Sequence, residues 1–253
     1  MTDTSGLPTE RYARLKALMD RLRTDCPWDR EQTFATIAPY TIEEAYEVKD
    51  AIDRRDMAEL KDELGDLLFQ VLFHARLASE IDAFDLDDVA DALVDKMVRR
   101  HPHVFGGADK PDWDGIKAVE RAGKPQNRTL DGVAFALPAL MRAQKLQKRA
   151  AKVGFDWPDT DGAFEKIVEE AAELQDAAPS AQHEEAGDLL FAVVNLVRKM
   201  GLDAESALRD ANAKFTRRFE GVEDRAGGSL AGLSLDVMEA HWQAVKAVKA
   251  GED

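Results

Sequence analysis

Apolar residues recur three and four positions apart along most of this 253-residue chain, and alternating β-branched runs of useful length are absent. The periodicity predicts helices near 8–24, 36–54, 56–80, 86–101, 136–152, 161–177, 181–200, 203–225 and 234–250. Two stretches exceed a one-sided stripe. "LLFQVLFHA" at 67–75 and "LLFAVVNLV" at 189–197 are apolar on most sides, which predicts buried helices. The helical pattern breaks at 101–115, "HPHVFGGADKPDWDG", where Pro and Gly intervene. A short helix is expected over 115–122, and 122–138, "AGKPQNRTLDGVAFALP", reads as a linker. A boundary near 125 then gives two modules, 1–125 and 126–253, each of ordinary domain size.

The two halves repeat each other in order. "EEAYE" at 43–47 matches "EEAAE" at 169–173, and "ELGDLLFQVLFHAR" at 63–76 matches "EAGDLLFAVVNLVR" at 185–198. "KMVRR" at 96–100 matches "KFTRR" at 214–218, and "CPWD" at 26–29 has a loose counterpart in "GFDW" at 154–157. The spacings between the three matched motifs show the second copy to be four residues shorter in each of two connections. Ordered self-similarity of this kind marks a duplicated unit. The expected fold class is all-α, built from tandem duplicated helical modules.

Carboxylates head each of the two apolar runs. Glu44 and Glu47 are three apart, as are Glu63 and Asp66; Glu170, Glu173, Glu185 and Asp188 repeat the arrangement. Residues at i, i+3 and i+4 share a helix face, so two antiparallel helices can gather four carboxylates. Acids at the start of a helix also suit its macrodipole without any ligand. Here they adjoin apolar runs, where uncompensated charge is costly, and the whole pattern occurs twice. Hard divalent cations resolve the burial and the mutual repulsion, and oxygen-only donors suit Mg²⁺, with Mn²⁺ as a second choice. A di-iron bundle would want Glu-x-x-His, and zinc would want His or Cys; neither belongs to the repeated pattern.

Mg²⁺ commonly bridges to phosphates, and bases follow the acids. Lys214 and Arg218 share a helix face, as do Lys96 and Arg100, and Lys166 lies one turn before Glu170. Such cations clamp phosphate oxygens, although the same spacing also describes a solvated amphipathic face. Trp242 in the last helix can stack on a base or serve packing. Gly65 and Gly187 sit inside helices, where Gly costs about 1 kcal/mol against Ala, which suggests close helix approach or room for a ligand. The pattern of a P-loop is absent.

Composition narrows the class further. The net charge is −15 with 33% charged residues, which disfavours binding to a nucleic-acid backbone. A single Cys, Cys26, permits no internal disulfide. The N-terminal stretch lacks a signal-peptide core and no apolar run reaches a membrane span. A soluble, cytoplasmic protein is expected, with no membrane or nucleic-acid partner.

The motifs EExxE and ExxD, twice in order, resemble the MazG family of nucleoside triphosphate pyrophosphohydrolases in its two-domain form. So do "CPWDREQTFATIAPYTIEEAYE", "RRHPHVF", "KRAAKVGFDW" and "ANAKFTRRF". The resemblance implies a four-helix-type all-α pyrophosphohydrolase fold, usually a homodimer. It implies Mg²⁺-dependent hydrolysis of a nucleoside triphosphate (NTP) to the monophosphate and pyrophosphate, with broad base tolerance and a role in clearing the nucleotide pool. It further implies that the C-terminal module is catalytic. On that pattern Glu170, Glu173, Glu185 and Asp188 hold the metal, and Glu169 with Glu170 acts in catalysis. Lys166, Lys214, Arg218 and Trp242 contact substrate. Glu44, Glu47, Glu63 and Asp66 form a second copy. One departure stands out: His183 is the only basic residue between Glu173 and Glu185, where related sequences carry a lysine. Two other readings stay open, a relative restricted to dUTP, dCTP or phosphoribosyl-ATP, and a non-catalytic nucleotide-binding dimer scaffold.

Overall fold

The computed structural model describes residues 9–107, 115 and 128–249, and every regular element among them is a helix. Contacts divide the chain into two units, Met1–Glu120 and Arg121–Asp253. The boundary expected near 125 and all but Gly115 of the helix expected over 115–122 lie outside the described residues.

The first unit contains α1 (Arg11–Asp25), α2 (Pro27–Glu31), α3 (Phe34–Arg54), α4 (Met57–Ser79), α5 (Leu86–Arg100) and α6 (Pro102–Phe105). The periodicity did not reveal α2 and α6, because four or five residues are too few to carry a period. Each opens on a proline, whose fixed φ and missing N–H suit the first helical position. Thr33 and Thr36 form a reciprocal capping box at the start of α3. The α3–α4 connection is two residues long: Arg55 is left-handed, and Asp56 accepts from the backbone N–H groups of Ala58 and Glu59. So short a link folds α4 back along α3. The core beneath gathers Met19, Ile37, Leu72, Phe73 and Leu77. Arg23 joins α1 to α4 by donating twice to Glu80, at 2.9 and 2.6 Å, while its guanidinium lies 5.6 Å from the Phe73 ring centre.

The second unit contains α7 (Ala139–Ala151), α8 (Asp161–Asp176), α9 (Gln182–Lys199), α10 (Ala204–Arg225) and α11 (Leu235–Lys249). The α8–α9 hairpin repeats α3–α4, and α10 repeats α5. Buried Gln144 on α7 fixes the α9–α10 turn: its amide donates to the Leu202 carbonyl at 3.1 Å and its oxygen accepts from Ala204 N–H at 2.9 Å. Gln147, one turn on, donates to the Phe191 carbonyl at 2.8 Å. Gly221 on α10 lets α11 approach, since a Cβ there would lie 3.2 Å from Val245.

The missing four residues of the second hairpin come from its tip. Glu47 and Glu63 are sixteen residues apart, whereas Glu173 and Glu185 are twelve apart. α3 runs seven residues beyond Glu47, but α8 only three beyond Glu173. The acids of the second unit therefore sit at the hairpin tip.

One expectation needs correction. The apolar runs are not buried all round. Leu72, Phe73, Ala75, Leu77 and Ala78 are buried in α4, but Leu68 and Val71 are exposed; in α9, Ala192 and Val194 are buried while Leu190 is 58% exposed. A hairpin covered on one side by a third helix encloses only the residues facing that helix and the hairpin seam. The outward face stays open.

Candidate active site

Gly162, Lys166, Glu169, Glu170 and Glu173 recur at helical spacing along one side of α8. Glu185 and Asp188 stand three apart in the first two turns of α9. The short link between the helices brings the end of α8 against the start of α9. Ligand oxygens of Glu170, Glu185 and Asp188 come within 4.8 Å of one another, and those of Glu169, Glu170 and Glu173 do likewise. Glu170 belongs to both groups. It is 5% exposed, and Lys166 donates to its Oε1 at 2.6 Å. Its Oε2 is buried with no hydrogen-bond partner.

The electrostatics of the cluster are unfavourable as they stand. Partial burial holds the Glu185 carboxyl above its ordinary range, and Glu173, Glu170, Asp188 and Glu184 push it the same way. The last turn of α8 carries no basic residue, so Glu173 sits at the negative end of that helix dipole. Lys166 relieves part of the charge. It bonds Glu169 at 2.7 Å as well as Glu170, and these two acids raise its own pKa, Glu169 more than Glu170. A buried carboxylate oxygen without a partner, in an all-oxygen donor set, fits a hard divalent cation.

The first unit gathers Glu44, Glu47 and Glu63 within the same 4.8 Å. Burial raises the Glu44 carboxyl most, followed by the charge of Asp66, which joins the fourth acid to the cluster. Burial and then Glu47 raise Glu63. Two differences separate the copies. Glu44 is only half-buried where Glu170 is buried. The repeat also places Tyr40 where the second unit has Lys166, so no cation arises at that point of α3.

The basic candidates lie on other helices. On α10 Lys214 is exposed and Arg218 half-buried, one turn apart. The Arg218 guanidinium lies 5.9 Å from the Trp242 ring centre, and Trp242 packs at 5.5 Å from Phe215. The structure thus unites Arg218 with Trp242. Among the described residues neither Lys214 nor Arg218 forms an ion pair, with the acids or otherwise. In the first unit α5 ends at Arg100 and Pro102 begins α6, so Lys96 and Arg100 occupy a helix terminus; α10 continues seven residues past Arg218. Close helix approach at Gly65 and Gly187 is not found: a Cβ at either would meet nothing within 4 Å. Both glycines border open space.

Residues 32–105 and 161–222 match the MazG nucleotide pyrophosphohydrolase domain, and each segment holds an EExxE and the ExxD that heads its apolar run. The chain belongs to the MazG nucleotide pyrophosphohydrolase family. It is 50% identical over 252 residues to the nucleoside triphosphate pyrophosphohydrolase of Escherichia coli strain K12, covering 92% of this chain and 96% of that protein. It is 43% identical over 244 residues to the nucleoside triphosphate pyrophosphohydrolase/pyrophosphatase MazG of Thermotoga maritima, with 93% and 95% covered. With the nucleoside triphosphate pyrophosphohydrolase of Mycolicibacterium smegmatis it shares 35% identity over 243 residues, with 93% and 70% covered. This is the two-domain form of the MazG family, and both acid clusters lie inside the matched segments.

Two features escaped the sequence reading. One is Tyr40 in place of Lys166, which aligning the repeat through EEAYE and EEAAE reveals. The other is Trp157. It lies outside the MazG-matched segments, and its ring packs where a Cβ of Gly162 would come within 2.2 Å of it.

Proposed function

We infer that this chain hydrolyses nucleoside triphosphates to the monophosphate and pyrophosphate, at the α8–α9 acid cluster of its C-terminal unit. Glu170 carries this reading: a buried carboxylate, bonded by Lys166 through one oxygen and unpartnered at the other, amid Glu173, Glu185 and Asp188. These four acids would hold Mg²⁺, or Mn²⁺ in its place. When bound, the cation would neutralise phosphate charge and lower the pKa of a water.

The remaining work falls to the chain. Glu169 Oε1 is held by Lys166, which leaves Oε2 to orient a water and take its proton as the water oxygen bonds the α-phosphorus. The bond from the α-phosphorus to the bridging oxygen breaks, and pyrophosphate leaves with that oxygen. Lys214 and Arg218 hold the β- and γ-phosphates. The N-terminal cluster, with Tyr40 in place of a lysine and its basic pair at a helix end, is the weaker copy.

The chain acts as a homodimer in the cytoplasm, with broad base tolerance. Exposed Phe164, Val168 and Leu190 in the second unit, and Ile42 and Leu68 in the first, support a self-association surface. Among the described residues no helix is long and apolar enough to cross a membrane.

Product chromatography after incubation with ATP and Mg²⁺ tests the activity. AMP and pyrophosphate are expected; ADP and phosphate would overturn attack at the α-phosphorus. The same assay over ribo- and deoxyribonucleotides separates a tolerant enzyme from one confined to a single base. Binding without product would favour a scaffold.

A further inference from the structure

The acid-bearing side of α8 does not end at Lys166. One turn earlier on it stands Gly162, and the space its side chain would fill is taken by the Trp157 indole: a Cβ there would lie 2.2 Å from Cδ1 and 2.8 Å from Nε1. The backbone that carries the indole is held from both sides. Lys199 on α9 donates to the Trp157 carbonyl at 2.6 Å. Asp156 accepts from the Trp157 backbone N–H at 3.0 Å and from Arg198 at 2.7 Å. Yet the residue stays 41% exposed. A large, fixed, half-open aromatic surface therefore begins the row that ends in the carboxylates.

The first unit repeats the device with different residues. Trp28, also exposed, meets Tyr40 edge-on at 6.2 Å, and Tyr40 stands one turn before Glu44. Both copies lay an indole on the acid-bearing helix, on the N-terminal side of the acids.

The geometry points to Trp157 as the surface on which the nucleobase stacks, a reading that rests on the nucleoside triphosphate activity inferred above. Gly162 and Glu170 are eight residues apart, about 12 Å along the helix axis. A nucleotide laid along α8 spans that distance, with its phosphates at the carboxylates, its ribose beside Lys166 and its base on the indole. Every base has a π-face, so stacking of this kind gives affinity without selecting one base. Purines, offering more ring area, bind more tightly than pyrimidines.

Isothermal titration with α,β-methylene-ATP and Mg²⁺, which cannot be cleaved at the α-phosphorus, and with tripolyphosphate and Mg²⁺, which has no base, tests the assignment. Trp157→Ala is expected to weaken α,β-methylene-ATP roughly tenfold and to leave tripolyphosphate within about twofold. Trp157→Phe keeps most of the affinity. Gly162→Ala gives a second handle. Its methyl group would meet Cδ1 at 2.2 Å and displaces the indole, so α,β-methylene-ATP affinity falls while tripolyphosphate stays within about twofold. Equal weakening of both ligands in Trp157→Ala would make the residue structural and overturn the proposal, and so would unchanged α,β-methylene-ATP binding. Failure of the parent reading looks different: wild-type protein binds α,β-methylene-ATP yet releases no pyrophosphate from ATP, and the binding comparison still decides the role of Trp157. Wild-type protein that binds no nucleotide would overturn both.

Discussion

At the scale of single residues, the two acid clusters have the same composition and different surroundings. Glu170 is buried and bridged by Lys166, whereas Glu44 is half-buried and Tyr40 stands in the lysine's place. Asp188→Ala removes one of the three ligand oxygens that Glu170, Glu185 and Asp188 bring together and should cut pyrophosphate release on the order of a hundredfold or more. Asp66→Ala should keep most turnover and act mainly on stability. Rate measurements on the two folded variants, with helicity followed by circular dichroism, check the pair; an inactive, folded Asp66→Ala beside an active Asp188→Ala would move catalysis to the first unit. The eight acids were legible in the sequence because their spacing is a helical spacing. The unpartnered oxygen of Glu170 was not, because it depends on what three residues from two helices leave uncovered.

At the scale of elements, nine helices were legible to within about three residues at either end, since each exceeds three turns and carries its own periodicity. α2 and α6 were not. Some joints between elements rest on ionic contacts between distant residues. Arg23 on α1 is bonded by Glu80 just past α4, and that hydrogen bond, ahead of the partner's charge, holds the Glu80 carboxyl below its ordinary value. A carboxylate with a depressed folded pKa adds stability above its unfolded value near 4.5, and loses it as pH falls through the folded one. Glu80→Gln should therefore cost about 1–2 kcal/mol at pH 7, discounted for partial exposure. The difference from wild type should shrink as the pH drops below 4.5. Denaturant melts at several pH values measure this; a pH-independent difference would mean that the pair acts through packing alone.

At the scale of the whole molecule, the exposed apolar side chains weigh most. Phe164, Val168 and Leu190 lie outward on the α8–α9 hairpin, a cost in water that a second copy would remove. Leu190→Asp should shift sedimentation from dimer towards monomer at micromolar concentration, and unchanged sedimentation would place any interface elsewhere. The all-α class, the duplication and the order of acids and bases followed from the sequence alone. Helical periodicity, capping residues and repeated motifs are properties of neighbours in the chain, and they survive whatever the rest of the molecule does. Tertiary structure decided which copy buries its glutamate, that Gly65 and Gly187 face open space, and that Trp157 lies over Gly162. Each of these depends on where a hairpin turns and which helix covers it, a register between segments that no local pattern encodes.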